Sequence, residues 1–302
     1  MNKKKYISNF GVKILISKAI RKPFYNKNSH FSKGICLINE KIIKNFLINN
    51  INFDSHNEKL NKKKIEYNSI IWTMWWQGLE NAPLLVQKCI EKMQNENPNH
   101  KVIIITKKNY NDYVELPDHV IHKIENNNIS ITHFSDILRV NLLYQYGGIW
   151  ADSTLFMTKS IPEEYFNKEF YTINTGIYTN DPSHGRWTTF FIESHRGSKL
   201  MKFLVESFNS YLDKYDQFID YILFDYFIEI GYENNTKMRK YIDSVPKNNQ
   251  NVFKLQEFLS EPIDEFNYEN CDTFLYKLSY KAKLSTKSDD GKATIYSKIT
   301  NS

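Results

Sequence analysis

Apolar residues near the start of the chain recur at helical spacing. Val12, Ile14, Leu15, Ile16, Ala19 and Ile20 predict an amphipathic helix ending before Pro23, with Leu15, Ile16, Ala19 and Ile20 on one side. Residues 23–34 read as a loop. Residues 35–50 return to helical spacing through Ile35, Ile38, Ile42 and Phe46, and the polar, Asn/Lys-rich stretch 51–66 reads as a linker. The texture then changes. A β-prone run from Ile70 to Trp76 is followed by a helix over 84–93, a short buried strand over 101–106 and a further strand over 120–124. Residues 131–146 form the best amphipathic helix of the chain. Gly147-Gly148 stops it, and 149–156 resumes a strand pattern. Strands are expected at 170–174 and 188–192, helices at 198–215 and 217–230, and short mixed elements over the last 70 residues. Strand and helix alternating in this way specify an α/β domain with a mostly parallel, Rossmann-like sheet flanked by helices. The expected division is a basic helical arm with its linker, 1–66, and a main domain, 67–302. The latter splits into a part of about 67–165 and a C-terminal part of about 166–302.

At 302 residues, 41% hydrophobic and 25% charged, the chain excludes wholesale disorder and a disulfide scaffold. The net charge of +6 is unevenly placed. Residues 1–64 carry +12 and the remainder −6. A uniformly basic nucleic-acid binder would not be patterned like this, so nucleic acid is not expected as a partner. The arm is either a solvated segment or one drawn to anionic lipid or an acidic partner. Cys36, Cys89 and Cys271 have no metal-type spacing and fit a reducing compartment. No apolar run reaches 18 residues, and Lys13, Ser17 and Lys18 break up the first helix too often for a secretory leader. The expectation is a cytoplasmic protein, peripheral on the inner face of the membrane if the arm binds lipid.

In a parallel sheet, ligands gather at the carboxyl ends of the strands. The first strand ends at Trp75-Trp76-Gln77-Gly78 and the strand after Gly147-Gly148 ends at Asp152-Ser153-Thr154. The helix between them carries Asp136 and Arg139 on one edge with His133. Asp136 and Arg139 either pair with each other or hold a sugar hydroxyl and a phosphate, for which the planar guanidinium is suited. Asp225, inside an apolar helical stretch, is either a paired structural carboxylate or a group on the acceptor side. His184, His195 and Arg196 fall in loops and are expected as exposed polar side chains, or alternatively as contacts to the acceptor or the diphosphate. His119 and His122 lack partners at ligand spacing, so zinc is not expected. No P-loop, GxGxxG or nucleophile motif is present.

His133-Phe134-Ser135-Asp136-Ile137-Leu138-Arg139, followed by Leu143-Tyr144-Gln145-Tyr146-Gly147-Gly148-Ile149-Trp150-Ala151-Asp152, resembles the signature of DxD-type sugar transferases. The capsular polysaccharide synthesis proteins are the nearest group, related to DxD-type mannosyltransferases and to the glucosylating clostridial toxins. Ile71-Trp72-Thr73-Met74-Trp75-Trp76-Gln77-Gly78, Asn97-Pro98, the strand 103–106 and Tyr276-Lys277-Leu278-Ser279-Tyr280-Lys281 also match. The likeness is strong over about 69–165 and does not reach residues 1–60. It implies a GT-A fold and a glycosyltransferase, hexosyl or N-acetylhexosaminyl, that takes a sugar from a nucleoside diphosphate donor. UDP-sugar is the expected donor, with retention of configuration and a glycan or lipid-linked oligosaccharide as acceptor in surface polysaccharide synthesis. It implies that Trp75, or alternatively Trp72, stacks on the base. Asp136 and Arg139 would hold the donor sugar and diphosphate, and Asp152 the ribose and a Mn²⁺ or Mg²⁺ ion. Gln77, Ser135, Gly148, Thr154, Lys277 and Lys281 are the further matched positions expected at the donor. The chain departs from Asp-x-Asp, because Thr154 replaces the second carboxylate and is a poor ligand for a hard cation. The metal is then held weakly through Asp152 and Thr154, or Lys277 and Lys281 neutralise the diphosphate, or catalysis is lost and a nucleotide-sugar-binding scaffold remains. An exported effector that glycosylates a host protein is a further reading, disfavoured by the lack of a leader.

Overall fold

The computed structural model describes residues 3–53, 60, 70–166 and 168–301. Two helices come first, α1 (Lys3–Arg21) and α2 (His30–Asn50). Then follow β1 (Ile70–Met74), α3 (Leu84–Glu96), β2 (Lys101–Ile105), α4 (Tyr110–Tyr113), α5 (Asp118–Glu125), α6 (Ile131–Tyr146), β3 (Gly148–Ala151), β4 (Leu155–Met157), β5 (Tyr171–Thr172) and β6 (Phe191–Ser194). The chain continues with α7 (Lys199–Lys214), α8 (Leu223–Asn234), α9 (Thr236–Asp243), α10 (Lys254–Phe258), β7 (Leu275–Lys277) and α11 (Ile295–Asn301). Five strands form one sheet in the order β2-β1-β3-β6-β5. β1 pairs parallel with both β2 and β3, while β6 runs antiparallel to β3 and β5. Four strands therefore point one way and β6 is reversed, giving the mostly parallel α/β architecture expected from the sequence. All five residues of β1 are buried, as a strand covered on both faces requires.

The expected strand over 149–156 is two strands in two sheets. β3 ends at Ala151, a turn intervenes, and β4 pairs instead with β7. The stretch 120–124, expected as a strand, is the helix α5. Pro117 stands at its N-cap, Asp118 lies in its first turn, and His122 and Lys123 lie in its last. That charge order matches the helix dipole, and terminal signals decide so short an apolar run better than its β-branched residues do. In the stretch expected as a helix over 217–230, the helix α8 begins only at Leu223.

The glycine pair does two jobs. Gly147, at φ 73°, ends α6 with its N–H on the Leu143 carbonyl. Gly148, at φ 93°, lies so near β1 that a Cβ would sit 2.4 Å from the Ile70 carbonyl oxygen. Trp72 fills the space behind this turn. It is fully buried, donates its indole N–H to the Gly147 carbonyl (2.9 Å) and packs on Tyr113 and Tyr146. Asn97, after α3, is also buried and satisfied. Its amide donates to the Met93 carbonyl and its oxygen accepts from the Ile161 N–H, both at 2.8 Å.

The N-terminal helices share the main hydrophobic core through Tyr6, Phe10, Ile14, Ile43 and Leu47. The face that α1 turns to the core is not the apolar side read from the sequence. Its buried stripe is Tyr6, Phe10 and Ile14, while Ile16 and Ile20 are exposed. Gly11, at φ 80°, interrupts the helix between the two halves of that stripe. The basic arm is also matched to acidic positions late in the chain. Lys5 pairs with Asp216 at 2.7 Å, Arg21 with buried Asp220 at 2.9 Å, and Lys44 with Glu233 at 2.6 Å and Glu229 at 3.6 Å. Part of the charge asymmetry read from the sequence is thus intramolecular complementarity. Most of the expected linker 51–66, with the boundary at 66–67, lies outside the described residues.

Candidate functional site

β1 and β3 are parallel neighbours, so their carboxyl ends meet at one edge of the sheet. Beyond β1, the Trp75 N–H donates to the Ile105 carbonyl (3.0 Å) and the Lys107 N–H to the Trp76 carbonyl (2.9 Å), which ties the Trp75-Trp76-Gln77 turn to the end of β2. Beyond β3, the Asp152 N–H donates to the Phe190 carbonyl and the Leu155 N–H turns back to the Asp152 carbonyl. The register of β4 on β7 sets Lys277 opposite Leu155, next to that turn.

The result is a cleft of about 360 Å³, within the range of small-ligand sites. Trp75, Trp76 and Gln77 form one wall. Asp152, Ser153 and Thr154 form the floor, with Lys277 bonded to it and Tyr280 and Lys281 completing the lining. The first turns of α6 (Ile131, Thr132, Ser135) and Tyr221 close the remaining side. The Trp75 and Tyr280 rings touch edge to face, 5.4 Å between centroids, and form one aromatic corner of the cleft. The Trp75 indole N–H is buried with no hydrogen-bond partner. The Ser135 hydroxyl donates to the Thr132 carbonyl at 2.6 Å.

Behind the floor lies a charge network. Asp152 Oδ1 accepts from Arg139 Nη2 (3.1 Å) and from the Trp150 indole N–H (2.8 Å). Its Oδ2 accepts from Lys277 Nζ at 2.7 Å, and the same ammonium donates to Thr154 Oγ1 at 2.7 Å. Arg139 donates its other terminal nitrogen to Asp136 Oδ1 at 3.0 Å. The guanidinium is 3% exposed and lies 4.8 Å from the Trp150 ring. Burial works against the charged form of Asp152, but Lys277 and Arg139 outweigh it and hold its pKa below the ordinary carboxylate range. Burial, reinforced by the negative charge of Asp152, pushes Asp136 up to about 7 despite the opposing pull of Arg139. Two carboxylates share one guanidinium, and the one that also holds a lysine is the more acidic.

Most of the expected donor residues are therefore brought together: Trp75, Gln77, Ser135, Asp152, Thr154, Lys277 and Lys281 all line the cleft. Arg139 lies behind it and holds Asp152, and Asp136 in turn accepts from Arg139. Trp72 and Gly148 are not at the cleft. Trp72 is sealed in the core with its N–H spent on Gly147, which rules it out as the stacking residue, and Gly148 is fixed by its approach to β1. Several cleft residues escaped the sequence reading, Trp150, Tyr221 and Tyr280 among them. Trp150 lies within the matched motif but reads as a core strand residue. Tyr221 fell inside a stretch expected as helix. Tyr280 belongs to the weakest matching segment.

Asp152 was the expected ligand of a divalent cation. Here both of its oxygens already accept from cationic or indole donors, and Lys277 occupies the position between Asp152 and Thr154. Among the described residues no group of three His, Cys, Asp or Glu side chains stands where it could hold a metal. Three of the roughly four lone-pair sites of the Asp152 carboxylate are taken, so the protein itself offers a hard cation little beyond the Thr154 hydroxyl, and a Mn²⁺ or Mg²⁺ ion would need further ligands from a bound diphosphate.

The other sequence candidates lie outside the cleft lining and have partners within the fold. His184 contacts buried Glu40 at 3.0 Å, His195 faces Glu169 at 3.5 Å, and Arg196 donates to the Gln145 carbonyl at 2.7 Å. Asp225 accepts from the Trp187 indole N–H at 2.9 Å. Burial, with Asp181 and Asp136 nearby, pushes it up to about 8.

Residues 18–299 match the sequence profile of the capsular polysaccharide synthesis proteins. A glycosyltransferase of Aspergillus fumigatus is 27% identical over 168 residues, a match covering 47% of this chain and 40% of the relative. The chain thus spans well under two thirds of that protein's length.

Proposed function

Because the chain belongs to the capsular polysaccharide synthesis protein family, we propose that it is a glycosyltransferase that moves a hexosyl or N-acetylhexosaminyl group from a nucleoside diphosphate, a UDP-sugar, to a glycan or lipid-linked oligosaccharide acceptor in surface polysaccharide assembly, with retention at the anomeric carbon. The observation that carries this reading is the cleft where β1 and β3 end. It joins an aromatic wall for a base to two lysines and one ionised aspartate, within reach of the first turns of α6. Trp75, with Tyr280, stacks on the base. Lys277 and Lys281 face the diphosphate. The positive end of the α6 dipole adds to the same field.

In the transfer, the bond from the anomeric carbon to the diphosphate oxygen breaks and the acceptor hydroxyl oxygen bonds to that carbon. The hydroxyl proton goes to the departing diphosphate. Negative charge grows on that leaving group, and a cation already in place stabilises it without reorganisation. We assign this part to Lys277, in place of a metal. Asp152, held by Arg139 and Trp150, fixes the ammonium in position. The single carboxylate of the floor then serves the lysine, which accounts for the absence of a second one at Thr154.

The test is a panel of UDP-, GDP- and CDP-sugars, with thermal stabilisation and donor hydrolysis both measured with Mn²⁺, Mg²⁺ or chelator. The expected result is stabilisation by one nucleotide class and slow hydrolysis of one sugar at equal rates with and without metal. No response to any nucleotide would remove the reading. Stabilisation without hydrolysis or transfer would leave a nucleotide-sugar-binding scaffold.

A further inference from the structure

The N-terminal helices carry an apolar surface that the sugar-transfer reading does not use. On α2, Phe31, Ile35, Ile38 and Ile42 recur at i, i+4, i+7 and i+11 and so share one face. Val12, Ile16 and Ile20 do the same on α1. The two stripes meet in an open groove of about 490 Å³, lined by Ile16, Ile20, Ile35, Ile38 and Ile42 with Lys13 at its rim. These side chains are not core. Ile16 and Ile20 are each 53% exposed, Ile38 63% and Phe31 68%. The core faces of the same helices lie elsewhere, through Tyr6, Phe10 and Ile14 on α1 and Cys36, Ile43 and Leu47 on α2. Isolated exposed isoleucines need no explanation, but a continuous stripe on two packed helices does.

The charges around the groove select what covers it. Residues 3–53 contain 11 Lys and Arg against one acidic residue, Glu40. Glu40 is buried and paired with Lys44 and His184. Lys5, Lys18, Arg21 and Lys44 are committed to carboxylates. Lys3, Lys4, Lys13, Lys22 and Lys41 are exposed. A second copy docking through this face would set two such cationic surfaces against each other, which Coulomb repulsion opposes. Of the polar side chains in the groove, Asn39 donates to Ser17 at 2.7 Å, so the lining is almost wholly hydrocarbon. Hydrocarbon with a lysine rim and no exposed acid is complementary to an anionic bilayer, where acyl chains need no hydrogen bonds and headgroups carry the negative charge.

We propose that the outer face of the α1–α2 hairpin docks on an anionic membrane surface, with Ile16, Ile20 and Ile38 entering the acyl boundary and Lys13, Lys22 and Lys41 at the headgroups. No helix among the described residues is long and apolar enough to cross a membrane, so the contact is peripheral. The proposal does not depend on the sugar-transfer reading, and its test uses no activity as readout.

The full chain is sedimented with phosphatidylcholine vesicles containing about 30% phosphatidylglycerol, and with phosphatidylcholine vesicles alone. Binding to the anionic vesicles is expected, with little to the neutral ones and a marked loss at about 0.5 M salt. Lys13→Glu with Lys41→Glu should weaken it at least about tenfold, since each lysine near such a surface contributes on the order of a factor of five. Ile16→Asn with Ile38→Asn should weaken it comparably. Both pairs of substitutions lie on exposed positions and should leave the melting temperature and nucleotide stabilisation unchanged. Failure to bind anionic vesicles would overturn the proposal. So would binding that neither pair alters, or a dimer in solution that the isoleucine pair dissociates.

Discussion

Lys277→Ala separates a catalytic lysine from a structural one. Its ammonium stands 2.7 Å from Asp152 Oδ2, with the two side chains 24% and 26% exposed. Each side chain is mostly buried, so the pair contributes somewhat more than the ~1 kcal/mol of an exposed one. Asp152 also keeps two other donors, Arg139 and Trp150. The folded protein should therefore lose little, and its melting temperature should fall by only a few degrees. The transition state should lose far more. A unit positive charge roughly 4 Å from the growing charge on the diphosphate is worth about 4 kcal/mol at an effective dielectric constant of about 20. Removal of one preorganised donor elsewhere costs on the order of 10²–10³ in turnover. The expected outcome is a drop of that size in kcat, a smaller change in nucleotide affinity and a largely preserved fold.

The assay is donor hydrolysis or transfer, run in chelator and in Mn²⁺, on the wild type, Lys277→Ala and Lys277→Arg. Arginine keeps the charge and should recover part of the rate. The double substitution Lys277→Ala with Thr154→Asp removes the resident cation and supplies a second carboxylate, so it should acquire metal dependence that the wild type lacks. Wild-type turnover that collapses in chelator and returns with Mn²⁺, with Lys277→Ala left nearly as active, would refute the assignment of the cationic role to this side chain.

Three further outcomes follow from the site. Trp75→Ala should weaken nucleotide binding by about 1–3 kcal/mol, the usual worth of base–aromatic stacking, in a titration read by intrinsic fluorescence or calorimetry; Trp72→Phe should leave affinity unchanged, because that ring never reaches the cleft. Arg139→Ala should destabilise the fold by about 3–5 kcal/mol, because it leaves Asp136 and Asp152 facing each other without their shared guanidinium, and denaturant unfolding will show whether its loss of activity is accompanied by that loss of stability. Asp225, with its pKa raised to about 8, holds a proton in the folded state that it would release in the unfolded one, so its contribution to stability declines as pH rises from about 4 to about 8, by at most about 1.4 kcal/mol per unit. Asp225→Asn should remove that slope: its melting temperature should match the wild type near pH 4 and exceed it increasingly up to about pH 8, and a gap independent of pH would contradict the shift.

What could be read without coordinates, and what could not, divides along physical lines. Helix α6 was legible to the residue, because its apolar period, its Ser130 cap and the Gly147 stop all agree. The same holds for the meeting of the β1 and β3 ends, which follows from parallel pairing alone. The choice between Trp75 and Trp72 was not legible. A fully buried strand presents both faces to hydrocarbon, so alternation carries no information about which indole looks into a cleft. The roles of Asp136 and Arg139 were blurred for a related reason. Spacing places them on one helical edge, but only the third dimension sets that edge behind Asp152. The fate of Thr154 was the least accessible. Its partner, Lys277, lies 123 positions away on a three-residue strand, and such a strand has too few residues to show a period. Only the β4–β7 register brings the lysine alongside the turn. Seen from Thr154 alone, a missing carboxylate leaves a weakly held metal, lysines in its place and lost catalysis all open. With Lys277 in place, a second carboxylate at that position would compete with Asp152 for one ammonium, which favours the lysine as the carrier of positive charge.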